Sequence, residues 1–143
     1  TLSPNKVFSA NYHSYELSTM RDDDTVQVSS IEKAYRDKKY KEVAAMDPAT
    51  IKEIFLVAMS NIELSDNSKA IEGFKQVIAA NEKANTTIMK DEAEYYLALA
   101  YVRNKDFDFA LELLRKIKDD PNHTYHQQVT GKLTRQVKML KWR

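Results

Sequence analysis

The chain contains no cysteine, two glycines, three prolines and one tryptophan in 143 residues. Without thiols, neither disulfides nor thiolate-held metals can form, although this alone fixes no compartment. The scarcity of glycine and proline removes the usual punctuation of β-rich and loop-rich chains, so a mostly helical chain with short turns is expected. Gly73 and Gly131 both fall inside predicted helices, which leaves no glycine-rich loop to cradle a phosphate. Long apolar runs are missing too. The longest, Tyr95 to Val102, is far short of the roughly 20 residues a membrane-spanning helix needs. An excess of charge of one sign is also lacking: 22 basic residues face 21 acidic ones, a net charge of +1. The whole-chain field therefore favours neither nucleic acid nor an acidic substrate.

What is present is an ordinary globular composition, 43% apolar and 30% charged, with a length that suits one domain. The chain opens on Thr1 rather than methionine. A processed product or an excised segment is expected, with a cleaved signal or an upstream membrane anchor left open.

Residues 1–25 differ from the rest and read as an aromatic strap. Ser3-Pro4 suits a helix start, with serine as the cap and proline in the first turn. Phe8, Tyr12 and Tyr15 follow at i, i+4 and i+7, one face of a short helix, before an irregular stretch from Glu16 to Asp24. The acidic run Asp22 to Asp24 suits the positive end of the next helix. Periodicity predicts further helices near 26–37, 40–46, 50–64, 67–81, 89–103, 107–119 and 124–141, and no strand. Asp47-Pro48 and Asp120-Pro121-Asn122 end two of them.

Self-comparison brings out a repeat. Val57, Ala58, Ala70, Phe74 and Val77 recur forty residues later as Leu97, Ala98, Ala110, Leu114 and Ile117. A fainter copy lies upstream, where Tyr40 and Val43 stand as Phe107 and Ala110 do. Small residues at fixed points of adjacent helices allow axes to approach toward the short end of the usual 8–10 Å range. Ala58/Ala70 and Ala98/Ala110 are thus read as the seams of helical hairpins.

Leu97-Ala98, Tyr101, Phe107, Ala110, Leu114 and Ile117, with Pro121 at the exit, resemble the tetratricopeptide repeat. The pattern departs from the family at several places. Glu94 stands where a large aromatic is usual, Lys105 replaces the turn glycine, and Asn61 and Asn67 replace aromatics in the second copy. Asn104 is expected to supply the left-handed turn residue instead. The forty-residue interval exceeds the family's roughly 34, placing an insertion near AANEKANTTI. That interval also fits a HEAT-like repeat, but the small-residue pattern favours the tetratricopeptide reading. The resemblance implies an all-α fold: a right-handed superhelix of about three stacked hairpins over residues 26–122. A C-terminal capping helix over 123–143 would complete the single domain. More loosely, the order of strap, degenerate repeats and YYLALAYV…LLRKI…PNHTYH resembles small membrane-anchored bacterial proteins whose repeat domain follows a membrane span. That likeness implies a periplasmic location, with a cytoplasmic one as the alternative.

In the tetratricopeptide family the first helices of the hairpins line a concave face. Carried over by register, the candidate groove residues are Tyr35, Arg36, Phe55, Met59, Tyr95, Leu99 and Arg103, beside Val28, Glu32, Ile62, Glu63, Glu92 and Val102. Most are apolar, so something is expected to cover them. The chain's own Phe8, Tyr12, Tyr15, Leu17 and Met20 are the favoured cover, leaving part of the groove to a peptide or protein partner. For each groove residue the plainer alternative is packing between repeats.

Chemistry beyond binding finds little support. His123 and His126 have the spacing that sets two imidazoles on one helical face, with Asp119 and Asp120 nearby, but polar residues at the start of the last helix is the simpler reading. Asp22 to Asp24 lack the glycine and glutamate spacing of a calcium loop. No nucleophile–base set is recognisable. The sequence therefore leads to a non-catalytic interaction module with no cofactor and no metal, monomeric by preference, with a homodimer possible. Two alternatives stand beside it. One is a structural or oligomerising element. The other is binding of an anionic surface through the last helix, where Lys132, Arg135, Lys138, Lys141 and Arg143 occur without an acidic residue.

Overall fold

The computed structural model describes residues 1–17 and 28–143. Met20 and the acidic run at 22–24 lie outside the described residues, as do the first two positions of the helix predicted from residue 26. The described residues form helices joined by turns, with no strand. In order these are α1 (Pro4–Asn11), α2 (Ser30–Arg36), α3 (Tyr40–Ala44), α4 (Ile51–Glu63), α5 (Asn67–Ala84), α6 (Lys90–Arg103), α7 (Phe107–Lys118) and α8 (Gly131–Lys141). No described helix is long and apolar enough to cross a membrane.

Side-chain caps account for five of the eight described helix starts, those of α1, α2, α4, α5 and α8. The Ser3, Ser29, Asp66 and Thr130 side chains each accept a hydrogen bond from a first-turn N–H of α1, α2, α5 and α8. α4 opens with a full capping box: Thr50 accepts from the Glu53 N–H, and the Glu53 carboxylate accepts from the Thr50 N–H. Burial pushes the Glu53 carboxyl up, but hydrogen bonds, including those from the Ala49 and Thr50 N–H groups, outweigh it and hold it below the usual range.

Helices α2/α3, α4/α5 and α6/α7 make three hairpins that turn in the same way. Lys38, Ser65 and Lys105 take left-handed conformations, with φ of 58°, 60° and 66°. Around them the hydrogen bonds repeat. Lys38 N–H donates to Tyr35 O, Ser65 N–H to Ile62 O and Lys105 N–H to Val102 O, while the next N–H reaches one residue further back. This is the Schellman turn, used three times without glycine. The left-handed residue of the third turn is therefore Lys105, not the expected Asn104, whose φ is −83°. The turn also makes the faint first copy a genuine hairpin, although its second helix, α3, is only five residues long.

The seams are close. Ala58, Ala70, Ala98 and Ala110 are fully buried. Gly73 adds a contact that the repeat pattern does not signal, since its counterpart forty residues on is Leu113. A Cβ placed on Gly73 would lie 2.7 Å from Ala58 Cβ and 3.3 Å from Ala58 Cα. The predicted insertion at residues 79–88 begins as the last turns of α5, which runs on to Ala84, and Asn81 holds the loop that follows. Its amide donates to Val77 O and Ile88 O, and its oxygen accepts from Thr86 Oγ1 and the Ile88 N–H.

Two further sequence expectations are corrected. Tyr15 does not share a helix with Phe8, because α1 ends at Asn11 and Tyr12 is already extended, with φ −94° and ψ 128°. The last helix begins at Gly131 rather than near 124, and residues 121–129 form consecutive turns packed on α6. One continuous core runs from Val7 and Phe8 of α1 to Leu140 of α8, so the strap is part of the packed body.

Candidate binding groove

The strap crosses the first helix of every hairpin. α1 packs on α6 and α8, and the chain then leaves α1 and runs past α6 and α4 to α2. Along that path three tyrosines grip its main chain. The Tyr95 hydroxyl donates to Asn11 O at 2.9 Å and the Tyr96 hydroxyl to His13 O at 2.8 Å. The Tyr35 hydroxyl donates to Tyr15 O. The bonded carbonyls belong to residues 11, 13 and 15. Asn11 closes α1 and the chain leaves the helix at Tyr12. Alternate carbonyls of an extended chain point the same way, so one wall of hydroxyls reaches residues 13 and 15 as well as the carbonyl at the helix end.

Side chains of the strap fill the spaces between these bonds. Phe8 stacks on Tyr12 at 4.9 Å, and Tyr12 meets Tyr96 edge-on at 5.8 Å. Tyr15 packs edge-on against Phe55 at 5.1 Å. At the end of α4, Glu63 Oε1 accepts from the Tyr12 hydroxyl at 3.0 Å and also from the Ser14 hydroxyl. Beyond Tyr15 an open cleft is lined by Glu16, Leu17, Tyr35, Arg36, Lys38 and Tyr40.

Arg103 joins four elements. Its guanidinium carbon sits 4.0 Å over the Phe8 ring. Its Nε donates to Asn67 Oδ1 at 2.6 Å, and its Nη2 donates to Ile62 O at 2.9 Å. Asn67 stands forty residues before Phe107, and where the later hairpin has that aromatic it supplies the acceptor that steadies an arginine beneath the strap.

Burial sets the state of the tyrosines. It pushes the Tyr95 hydroxyl up to about 12 and those of Tyr35 and Tyr96 well above the usual tyrosine value. All three are donors across the ordinary pH range, and none is poised to act as a base or a nucleophile.

Of the seven residues picked by register, Tyr35, Phe55, Tyr95 and Arg103 touch the strap directly. Arg36 lines the cleft beside Tyr15. Met59 and Leu99 are fully buried in the core. Two contributors were missed. Tyr96 lies next to Tyr95, and only the doubled tyrosine hints that both face the strap. Tyr125 stacks on Tyr95 with ring centres 4.4 Å apart and an interplanar angle of 5°. It comes from the turn segment that periodicity had placed in a helix.

That segment is fixed by a buried polar cluster. Glu94 is only 2% exposed. Its Oε1 is 3.1 Å from His123 Nε2, and its Oε2 pairs with the Lys116 ammonium. Asp91 Oδ1 lies 3.4 Å from the same His123 nitrogen, while its Oδ2 accepts from Thr124 N–H and Oγ1 at 2.9 Å each. Burial pushes the Asp91 carboxyl up, yet the Thr124 bonds and the nearby His123 hold it below its usual value.

Asp91, Glu94 and His123 offer ligand atoms within 4.8 Å of one another. The hydrogen bonds, however, favour a proton over a cation. His123 Nδ1 accepts the Tyr125 N–H at 3.0 Å, which places the imidazole proton on Nε2, toward the carboxylates. A metal on Nε2 would need that proton gone while Nδ1 stays an acceptor, and the Lys116 ammonium already sits on Glu94. His126 is no part of the cluster; its Nδ1 lies 3.4 Å from Ile117 O. The pairing of His123 with His126 suggested by spacing is thus replaced by a pairing of His123 with Glu94 and Asp91.

Comparison of the chain with protein-family models, with curated proteins and with solved structures finds no match.

Proposed function

We propose that this protein is a non-catalytic interaction module, built of degenerate tetratricopeptide-like hairpins, whose groove receives an extended peptide segment of a partner protein. The observation that carries the reading is the row of tyrosine hydroxyls from α2 and α6 bonded to the carbonyls of residues 11, 13 and 15. Main-chain bonds of this kind give affinity for any extended segment, while the Phe8 and Tyr15 positions select aromatic side chains. The strap holds this place in cis, so a partner competes with it and gains access in proportion to the population in which the strap has left. Filling of the groove in cis supports a monomer. The likeness to membrane-anchored bacterial repeat proteins supports a periplasmic domain, and we propose that setting on the same footing.

The test is a labelled peptide with the sequence of residues 4–17, titrated into the whole chain and into its Phe8→Ala variant while anisotropy is followed. The peptide is expected to bind the variant more tightly, because the resident strap is weakened there. In a chain shortened by residues 1–17, where no resident strap loses the same bonds, replacing Tyr35, Tyr95 and Tyr96 together by phenylalanine removes three hydrogen bonds of about 1 kcal/mol each, and peptide affinity should fall at least tenfold. Binding that ignores the three hydroxyls, or no binding to the weakened variant while its circular dichroism stays helical, would refute the groove reading.

A further inference from the structure

We propose that the end of the molecule built by α1 and α8 docks on an anionic lipid surface. Charge is the first argument. Neither α1 nor residues 121–143 contain an aspartate or glutamate, whereas they carry Lys6, Lys132, Arg135, Lys138, Lys141 and Arg143. These six cations, in a chain of net charge +1, leave the remainder at −5. Residues 18–27 carry −2 of that and lie outside the described residues, so the described remainder is −3. The balance that looks neutral over the whole chain is uneven, and the acid-free α1/α8 end is the part drawn toward a negative surface. α8 packs against both α1 and α7; on its α7 side Lys138 and Lys141 line a cleft shared with Asp108 and Glu112, so the outward stripe of α8 is where the charge is unopposed. Two are already engaged: Lys141 pairs with Asp108 at 2.6 Å, and Arg143 donates to Leu2 O. Lys138 faces the Asp108 and Glu112 side of α7, which leaves Lys6, Lys132 and Arg135 for an external anion.

The second argument is where the apolar groups lie. Leu133, Val137 and Leu140 bury one side of α8. On the opposite side, at 100° per residue, Lys132, Arg135, Met139 and the C-cap Trp142 share a stripe roughly 80° wide. Met139 is 56% exposed and Trp142, the only tryptophan of the chain, is 78% exposed. A large aromatic and a methionine held in water among lysines and arginines suit the headgroup boundary of a bilayer. There the indole sinks below the phosphates that the cations meet. Nucleic acid would satisfy the cations but leave the methionine and the outer indole face with no apolar phase to enter, so the lipid surface is the occupant we favour.

Trp142 makes the test direct, because all tryptophan fluorescence of the chain comes from this site. The whole protein is mixed with vesicles of phosphatidylcholine alone, with vesicles also containing phosphatidylglycerol, and with a random-sequence RNA. The expected result is a blue shift and protection from aqueous quencher with the anionic vesicles only, and co-sedimentation that weakens as salt is raised. Lys132→Gln with Arg135→Gln should lower partitioning about 25-fold, about fivefold per charge, and Trp142→Ala should lower it in the sedimentation assay. Lys75→Gln with Lys83→Gln on α5 removes the same charge elsewhere and should change it little. Equal loss from the α5 pair, binding to RNA without the vesicle-induced shift, or an unshifted spectrum with anionic vesicles would each overturn the proposal.

Discussion

Gly73 tests the seam most sharply, because two general effects predict opposite signs there. An exposed mid-helix glycine changed to alanine gains about 1 kcal/mol of helix propensity. At residue 73 the new methyl would stand 2.7 Å from Ala58 Cβ, 3.3 Å from Ala58 Cα and 3.8 Å from Ala58 N. Carbon atoms settle near 3.5–4.0 Å, so α4 and α5 must separate by roughly 1 Å. The obstacle is backbone and a methyl bonded to it, with no rotamer to swing aside. Overpacking of this kind costs about 1–3 kcal/mol before compensation. Because helices that part also lose contacts along the rest of the seam, we expect Gly73→Ala to destabilise by about 2 kcal/mol net, and to lower Tm by roughly 6 °C for a chain of this size. The partner change Ala58→Gly costs about 1 kcal/mol by propensity alone, yet it removes the atom that clashes. The double variant should therefore be more stable than the sum of the singles by about 1–2 kcal/mol. Urea unfolding of all four proteins at one pH, fitted with a common m-value, measures the cycle. A stabilised Gly73→Ala, or a cycle additive to within about 0.5 kcal/mol, would show that α4 and α5 do not meet at residue 73 as described.

Other expectations follow from the turns, the tyrosines and the buried cluster. Lys105→Gly and Ser65→Gly relieve left-handed backbones at φ of 66° and 60°, and each should raise the urea midpoint by about 0.5–1 kcal/mol equivalent; a fall in either would place the strain elsewhere. Tyr35, Tyr95 and Tyr96 have folded-state pKa values raised by burial above the ordinary 10.0. Their stabilisation is complete below pH 10 and is lost as pH rises through the folded values, at about 4 kcal/mol per pH unit for the three. Alkaline titration should therefore show tyrosinate absorbance appearing together with loss of helix, and ionisation of all eight tyrosines in a still-folded chain would contradict the burial. His123→Leu leaves Glu94 with Lys116 alone and should cost about 2 kcal/mol, with amide exchange rising first across residues 121–129. Unchanged protection there would mean that the segment is held by something other than the cluster.

The hairpins are legible in the sequence because close approach demands small side chains at fixed spacing, and Ala58, Ala70, Ala98 and Ala110 are such residues. The all-helical class follows from the same periodicity. Gly73 is not legible as a seam residue, since the register match at Leu113 shows that the same site in the next hairpin takes a bulky side chain. The third turn misleads for a different reason: asparagine tolerates the left-handed region better than lysine does, but the Schellman hydrogen bonds require the residue after the cap, whatever it is. The turn segment at 121–129 is disguised by two histidines at helical spacing, while the partners that fix His123 lie about thirty residues upstream on α6. In the groove, register alone finds Tyr35, Phe55, Tyr95 and Arg103, because these sit on helices whose phase is set by the alanines. It passes over Tyr96 and Tyr125, whose positions depend on how the strap and the turn segment lie against α6.

The strap's attachment has a mechanical consequence. The carbonyl of Asn11, at the end of an α1 that packs on α6 and α8, and those of residues 13 and 15 beyond it are held by separate hydroxyls. A pull on residue 1 therefore does not load the three bonds in parallel. It first lifts α1 and frees the Phe8 ring from Arg103, then meets the tyrosines singly, each bearing the whole force before it yields to the next. The order of release is thus written into the chain: Tyr95 lets go of residue 11, Tyr96 of residue 13 and Tyr35 of residue 15.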